Sequence, residues 1–290
     1  MKEFKLIFRF MESFFLNYRH SRIHCLRFGQ GPAQAFSFHG YGETAESFAF
    51  LEKTAGHLYT FFAIDLPFHG QTEWKEKSLE PEDLKRIIEQ LVYSDPPFED
   101  LRASPSQPSQ PLTLLGFSLG GRVALSLFEA MPGSVNRLVL LAPDGLKLNF
   151  WYWLSTQTWL GNQVFRFTMK NPGWFLGFIK GLNKMKLVNS SIFKFVNYYI
   201  GDALVRKQLY ERWTGLRRLR PDLQKIKAQV RSQGSRVELV YGKFDRIILS
   251  SVGKRFRKNI EDNTRITLIH AGHQVLHEKH AEELLKVLQY

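Results

Sequence analysis

A serine between an apolar run and a helical pattern is the first candidate for chemistry in this chain of 290 residues. The segment Gly116–Gly120 reads G-F-S-L-G, which places Ser118 between two glycines. The run 112–117 predicts a buried strand, and 119–131 has the periodicity of a helix. A strand that turns directly into a helix strains the backbone at the turn, and small flanking residues permit the close approach that this requires. The context therefore predicts Ser118 as a nucleophile at a strand-to-helix turn.

A serine hydroxyl is a poor nucleophile unless a base takes its proton and a third group holds the tautomer of that base. Asp245 comes just after the predicted strand 236–241, and His273 just after the predicted strand 264–269. Open parallel sheets assemble their sites at the carboxyl ends of their strands. The chain order Ser, Asp, His also fits a nucleophile at such a turn. We therefore predict Ser118, Asp245 and His273 as the catalytic residues.

Each of these assignments has an alternative. Asp144 also follows a predicted strand and is a second candidate for the acid. His270 lies three residues before His273, but its apolar context indicates a core or edge histidine. His273, His277 and His280 recur at helical spacing, yet this run lacks the H-E-x-x-H spacing of zinc peptidases. We therefore expect no metal site, and we expect no cofactor.

Acyl transfer also needs hydrogen-bond donors for the oxyanion that develops in the transition state, and backbone N–H groups usually supply them. The run His39–Gly42 follows the predicted strand 34–39, and its glycines permit an exposed loop conformation. We predict that the backbone amides of Tyr41 and Leu119 form the oxyanion hole.

The elements that must position these residues alternate along the chain. Short runs rich in β-branched and aromatic residues alternate with segments of helical period, which predicts an α/β fold with a mostly parallel central sheet flanked by helices. The predicted strands are 21–27, 34–39, 58–65, 112–117, 137–142, 236–241 and 264–269. The predicted helices are 45–56, 80–93, 119–131, 222–232 and 276–288.

The segment 145–218 differs in composition from the rest of the chain. The whole chain has a net charge of +13, and this segment holds 12 Lys and Arg residues against only two acidic residues. It also holds five of the six tryptophans. We therefore expect 1–144 and 219–290 to form one domain, and 145–218 to form a separate helical, basic and aromatic-rich domain.

Several motifs resemble those of the α/β-hydrolase superfamily. Besides the serine turn, the segment Asp65–Gly70 (D-L-P-F-H-G) is similar to the family's D-x-P-G-x-G turn after the fourth strand, with Phe68 where glycine is usual. The segments Gly242–Asp245 and Ala271–His273 are similar to the family's acid and histidine loops.

The resemblance covers about residues 20–144 and 219–290. It implies the α/β-hydrolase fold, with 145–218 as a helical cap inserted after the sixth strand. It also implies that His39 and His69 are structural rather than catalytic.

The resemblance further implies a serine hydrolase that cleaves carboxylic esters by transferring the acyl group to water. The aromatic cap indicates a small-molecule ester that is apolar or lipid-like, and we predict that Phe117 and Arg122 bind it. One alternative is a lyase of menaquinone biosynthesis, because Arg122 lies four residues after Ser118 as in the similar turn of SHCHC synthase, where the arginine helps to bind an anionic substrate. Another is a non-catalytic binding protein of this fold, although such proteins usually lack part of the triad.

The positive charge of the segment 145–218 bears on which partners the protein binds. Its lysines and arginines favour peripheral contact with an anionic membrane surface, although packing of the aromatics against the core and solvation of the charges would also account for the composition. We expect no contact with nucleic acid, because the segment contains no recognisable binding module.

The sequence also bears on the cell compartment. The single cysteine, Cys25, excludes an intramolecular disulfide. Charged residues interrupt the apolar run at the amino terminus, so we expect no cleaved leader. Polar residues interrupt the uncharged stretch 148–165, which argues against a bilayer span. We therefore expect a cytoplasmic protein.

Overall fold

The structure is a computed structural model that describes the ranges 11–93, 112–147, 149–185 and 198–289. The first ten residues, on which the expectation about a leader mainly rests, lie outside these ranges. The chain divides into two compact units. We call Met1–Lys147 with Leu219–Tyr290 the core unit, and Leu148–Arg218 the inserted unit.

The strands of the core unit are β1 (Glu12–Tyr18), β2 (Ser21–Phe28), β3 (Ala33–Phe38), β4 (Tyr59–Ile64), β5 (Leu112–Phe117), β6 (Val135–Leu141), β7 (Arg236–Gly242) and β8 (Thr264–Ile269). Within the described ranges these eight strands form one sheet in the order β1-β2-β4-β3-β5-β6-β7-β8. The pairs β1–β2 and β2–β4 are antiparallel, and every later pair is parallel. The predicted α/β class with a mostly parallel sheet is confirmed.

The helices of the core unit are α1 (Leu51–Ala55), α2 (Pro81–Tyr93), α3 (Leu119–Ala130), α8 (Leu223–Gln233), α9 (Ser250–Arg257) and α10 (Ala281–Gln289). Those of the inserted unit are α4 (Phe150–Gln157), α5 (Trp159–Lys170), α6 (Gly173–Lys184) and α7 (Ala203–Gly215). In the part of the chain that the structure describes, no helix combines the length and the apolar character needed to cross a bilayer.

Strand β5 lies between β3 and β6, and all six of its residues are buried. Strands buried on both faces are almost continuously apolar, which is why the segment L-T-L-L-G-F forms a central strand. The parallel strands β3, β5, β6, β7 and β8 end at the same edge of the sheet. The loops that carry the predicted catalytic residues therefore begin along one edge.

The structure differs from the sequence prediction at four places. One is the predicted helix 276–288, where a 3₁₀ turn (Glu278–His280) precedes α10, which begins only at Ala281. Strand β1 was not predicted; it is an edge strand with alternating exposure, and its Phe15 packs beside His24 with ring centroids 5.3 Å apart. The predicted helix 45–56 is instead a 3₁₀ turn (Ala45–Phe48) followed by the short α1, and the Ala45 N–H at its start donates to the Asp65 carboxylate. Helix α9, which lies between β7 and β8, was also not predicted.

Candidate active site

Ser118 lies at the turn between β5 and α3 with a positive φ of 49° and a ψ of −113°. An L-residue rarely adopts this conformation, so the turn holds backbone strain at the serine. Its N–H donates to the Leu141 carbonyl at 2.9 Å, and its carbonyl accepts from the Asp144 N–H at 2.8 Å. Both bonds tie the turn to the end of the neighbouring strand β6, which holds the strained residue in place.

The glycines on either side of Ser118 are required by close backbone contacts. A Cβ at Gly120 would collide with the Phe38 carbonyl of β3, and a Cβ at Gly116 would collide with the Gly120 carbonyl. The turn therefore packs directly against the neighbouring strand and against the first turn of α3, at separations that only glycine permits.

The structure brings Ser118, His273 and Asp245 into one hydrogen-bonded chain. His273 Nε2 lies 3.0 Å from Ser118 Oγ, and His273 Nδ1 lies 2.9 Å from Asp245 Oδ2. In a neutral imidazole one nitrogen donates and the other accepts. With its proton on Nδ1 and donated to the carboxylate, the ring presents Nε2 as the acceptor for the serine hydroxyl.

The Asp245 carboxylate is held on both of its oxygens. Oδ1 accepts from the backbone N–H groups of Ile247 at 2.7 Å and Ile248 at 3.0 Å, while Oδ2 faces His273. The Asp245 side chain has no exposed surface, and the His273 side chain keeps 21% exposure. Donors from the loop thus fix the carboxylate, and the histidine remains accessible from solvent.

The alternatives for the acid and the base have other partners. The Asp144 carboxylate pairs with the Arg122 guanidinium and accepts from the Gly145 N–H at 2.7 Å. His270 lies just past the end of β8, is exposed, and meets the Phe244 ring edge-on at a centroid distance of 4.7 Å. Neither residue belongs to the hydrogen-bonded chain that ends at Ser118.

The predicted substrate-binding residues lie at either end of the Ser118 turn. The Phe117 ring is buried, and its centroid lies 5.5 Å from that of the His273 ring. The same ring packs closely on Gly40, because a Cβ added to Gly40 would lie only 2.9 Å from the Phe117 ring. Arg122 is also buried, with its guanidinium on Asp144. That ion pair engages the charge that the lyase alternative needs for an anionic substrate.

The loop after β3 begins beside the serine turn, because Phe38 and Gly116 are paired residues of β3 and β5. His39 is fully buried, and its Nε2 accepts from the Leu66 N–H at 3.0 Å. Because Nε2 accepts, Nδ1 carries the proton and donates to the Gly40 carbonyl at 2.8 Å. This bond fixes the peptide plane between Gly40 and Tyr41, whose N–H is a predicted oxyanion donor.

Tyr41 and Leu119 carry the two predicted oxyanion donors. The Tyr41 ring meets the buried His69 ring edge-on at 5.9 Å, and His69 Nδ1 lies 2.9 Å from the Pro67 carbonyl. Leu119 is the first residue of α3, directly after Ser118. The first N–H groups of a helix have no partner within the helix, and their dipoles favour negative charge at this end.

Sequence reasoning missed Glu43 and Gln274. The Glu43 carboxylate accepts from the Gly40 N–H at 3.2 Å and from Gln274 Nε2 at 2.8 Å. It therefore connects the loop after β3 with the residue that follows His273. The only local signal is an acidic residue beside a glycine-rich loop, and its partner is 231 positions away in the chain.

Burial raises the pKa of one tyrosine near the site. Desolvation, together with the nearby Asp245 charge, raises the pKa of the Tyr241 phenol, so this residue at the end of β7 stays neutral.

Within the described ranges no group of three or more His, Cys, Asp and Glu side chains is placed to hold a metal ion.

Comparison with other proteins gives two curated relatives. A Bacillus subtilis (strain 168) protein named "Uncharacterized hydrolase YugF" is 23% identical over 254 residues, which is 83% of each chain. The protein phosphatase methylesterase 1 of Kluyveromyces lactis is 32% identical over 111 residues, which is 34% of this chain and 26% of the methylesterase. The similarity to the methylesterase thus spans about a quarter of that protein's length.

Among solved structures, the thioesterase domain from the curacin biosynthetic pathway superimposes with a TM-score of 0.62 at 15% identity, covering 97% of this chain and 99% of that chain. This likeness confirms the fold that the sequence motifs implied. A family model described as the alpha/beta hydrolase family matches residues 36–287. The matched range includes the end of β3, the serine turn and the loops of Asp245 and His273, and the chain therefore belongs to the alpha/beta hydrolase family.

Proposed function

We propose that this protein is a serine hydrolase that cleaves carboxylic esters and transfers the acyl group to water. The observation that carries the proposal is the hydrogen-bonded chain from Asp245 through His273 to Ser118, with distances of 2.9 and 3.0 Å. Distances in this range place a base within reach of the proton that it must remove. The name of the partly matching methylesterase also refers to ester cleavage.

In the proposed reaction, His273 Nε2 takes the proton of Ser118 Oγ as that oxygen attacks the ester carbonyl carbon. The carbonyl oxygen becomes an oxyanion, and the N–H groups of Tyr41 and Leu119 stabilise it. His273 then returns the proton to the leaving alcohol as the ester C–O bond breaks. Asp245 keeps the imidazole oriented and stabilises its protonated form.

The second half of the reaction regenerates the enzyme. His273 removes a proton from a water molecule, whose oxygen attacks the acyl carbon on Ser118 Oγ. Collapse of the second tetrahedral intermediate breaks the bond to Ser118 Oγ, which regains its proton from His273. The products are one carboxylic acid and one alcohol, and the protein returns to its starting state.

We further propose that the inserted unit is the cap that selects the acyl group. It follows β6 in the chain, and its helices carry many aromatic side chains. These features support an apolar or lipid-like ester as substrate. The lyase alternative depends on Arg122 binding an anionic substrate, whereas the guanidinium pairs with Asp144.

The proposal is tested with a fluorophosphonate probe and a series of p-nitrophenyl esters from acetate to palmitate. We expect the probe to label the wild type on Ser118, and we expect Ser118→Ala to lose labelling and about 10³-fold or more in kcat/KM. Ser251→Ala, which changes an exposed serine of α9, is the matched control and keeps both properties.

The outcomes separate the alternatives. Labelling without hydrolysis of any ester would contradict ester cleavage and favour another reaction at the same serine, including the lyase reaction. Absence of labelling in a folded wild type would contradict an activated serine and favour a binding protein. Hydrolysis that persists in Ser118→Ala would assign the activity to another residue.

A further inference from the structure

Two helices of the inserted unit leave large apolar side chains in solvent. On α5, Trp159 is 76% exposed and Leu160 is 66% exposed, and on α6, Phe178 is 56% exposed. Scattered single apolar residues are normal on a surface, but several on one helix face indicate an interaction site.

The exposed residues of α5 form a stripe. Leu160, Val164 and Phe167 are exposed and follow the spacing i, i+4, i+7, which places them on one face of the helix. Arg166 and Lys170 are also exposed and lie beside this stripe. An apolar stripe bordered by basic side chains is the pattern of helices that lie in a membrane interface.

Helix α6 repeats the pattern. Trp174 and Phe178 are exposed at a spacing of i, i+4, and Met185, at the carboxyl end of the helix, continues the stripe one turn beyond Gly181. Lys180 and Lys184 are exposed on the same helix, whereas Ile179 is buried on the opposite side. Two consecutive helices thus expose aromatic side chains together with lysine or arginine.

The charges of this segment have one sign. Between 149 and 185 the sequence contains Arg166, Lys170, Lys180 and Lys184 and no aspartate or glutamate. A surface of this charge is complementary to an anionic one, and Trp and Phe are residues that partition into the headgroup region of a bilayer.

An open cleft adjoins the start of α5. It has a volume of about 280 Å³ and is lined by Trp159, Arg217 and Arg218 together with polar side chains from the end of α4 and the start of α5. Cationic side chains beside an exposed tryptophan suit an anionic headgroup, whose glycerol or acyl part meets the aromatic ring.

We propose that the exposed faces of α5 and α6 form a peripheral docking surface for a bilayer that contains anionic lipid. The apolar stripes enter the interface, and the lysines and arginines face the anionic headgroups. This inference concerns binding alone and does not depend on the catalytic proposal, so it is tested on the Ser118→Ala protein as well as on the wild type.

The test is sedimentation with sucrose-loaded vesicles of phosphatidylcholine, with and without 30% phosphatidylglycerol. We expect at least a tenfold larger partition coefficient for the anionic vesicles at 0.1 M NaCl, and a smaller one at 0.5 M NaCl because salt screens the charges. Exposed Trp159 and Trp174 should shift their emission to shorter wavelength when the anionic vesicles are added.

Two double variants test the two parts of the surface. Phe167→Ser with Phe178→Ser should lower the partition coefficient at least tenfold by removing one aromatic anchor from each helix. Arg166→Gln with Lys170→Gln should lower it by about 5-fold for each charge removed, and only for anionic vesicles. The matched controls are Leu268→Ser and Lys254→Gln, which change exposed residues of the core unit and should leave binding unchanged.

Three results would overturn the proposal. The first is equal or no binding to the two vesicle types, and the second is loss of binding in the core-unit controls. The third is a dimer that forms with increasing concentration in sedimentation velocity and that Phe178→Ser dissociates. Such a dimer would mean that a second copy of the chain, rather than a bilayer, covers the exposed faces of α5 and α6. The substituted side chains are exposed, so circular dichroism should show that every variant is folded.

Discussion

Gln274 donates to Glu43 across the edge of the sheet, from Nε2 to Oε1 at 2.8 Å, while Glu43 Oε2 accepts from the Gly40 N–H. The first contact reaches the loop that carries His273, and the second reaches the loop that carries the Tyr41 amide. One carboxylate therefore sets the position of the proposed base relative to a proposed oxyanion donor. A partly exposed contact of this kind adds little stability, but small displacements of catalytic groups are costly in rate.

Removal of this carboxylate should affect turnover more than binding or stability. We expect Glu43→Leu to lower kcat about tenfold with little change in KM or in the urea midpoint, because it releases two loops without uncovering a core. Glu43→Gln keeps one acceptor and should recover part of the loss. Glu46→Leu, which changes an exposed acid three residues later, is the control. An unchanged kcat in Glu43→Leu would mean that other contacts position the loops.

The next prediction concerns the acid of the triad. An asparagine at position 245 presents an amide to His273 Nδ1 and favours the tautomer whose Nε2 bears a proton and cannot accept from Ser118. We expect Asp245→Asn to lower kcat by about 10³- to 10⁴-fold with near-wild-type KM. Asp144→Asn is the matched comparison, and its folded fraction should keep kcat within about tenfold of the wild type. A larger loss of kcat in Asp144→Asn than in Asp245→Asn would assign the acid to Asp144.

The Arg122–Asp144 pair makes a separate prediction about stability. Arg122 is buried, so Asp144→Asn leaves its charge without the carboxylate, and we expect a loss of about 2–4 kcal/mol in the free energy of unfolding. Arg122→Met combined with Asp144→Asn removes both charges and should recover at least half of that loss. Urea unfolding of the two single variants and the double variant measures the coupling. Additive losses would show that the two side chains act independently.

The elements near the site were predictable from sequence because their signals are local. Strands β5 and β8 have the predicted bounds, since each is a short apolar run next to glycine, proline or polar residues. The chain order and strand-end positions of Ser118, Asp245 and His273 were visible for the same reason.

Features that depend on distant contacts were not predictable in this way. The partner of Glu43 is Gln274, and nothing near either residue indicates the other. At the 3₁₀ turn after Thr44, the Ala45 N–H donates to the carboxylate of Asp65, which lies 20 positions away in the chain. The pairing of Arg122 with Asp144 was not visible either, because it follows from where β6 ends beside the serine turn.

The strain at Ser118 predicts an unusual order of stability. Alanine at φ 49° keeps the steric cost of a Cβ, whereas glycine adopts this conformation freely. We expect Ser118→Gly to be more stable than Ser118→Ala by about 1 kcal/mol, although both are inactive. Thermal or urea unfolding of the two variants measures the difference. Equal stability, or a more stable alanine variant, would mean that the turn holds no such strain.

Tyr18 predicts a change of stability at alkaline pH. Burial, aided by the hydrogen bond that its hydroxyl donates to Asp83 at 2.7 Å, raises the pKa of Tyr18 to about 12. Because the folded pKa is raised above the usual value of about 10, the stabilisation is complete below pH 10 and is lost as the pH rises towards 12. In that window the unfolded chain has released a proton that the folded chain retains, so stability falls by up to about 1.4 kcal/mol per pH unit from this group.

Urea unfolding at pH 8, 10 and 11 tests whether stability falls in this direction as Tyr18 ionises. Tyr18→Phe should be less stable than the wild type at pH 8 by about 1 kcal/mol, because the hydrogen bond is lost. Its stability should then fall less steeply above pH 10, so that the two proteins converge. Tyr198→Phe, which changes an exposed tyrosine, should follow the wild-type curve. Parallel curves for the wild type and Tyr18→Phe would show that this phenol ionises in the folded protein as readily as in the unfolded chain.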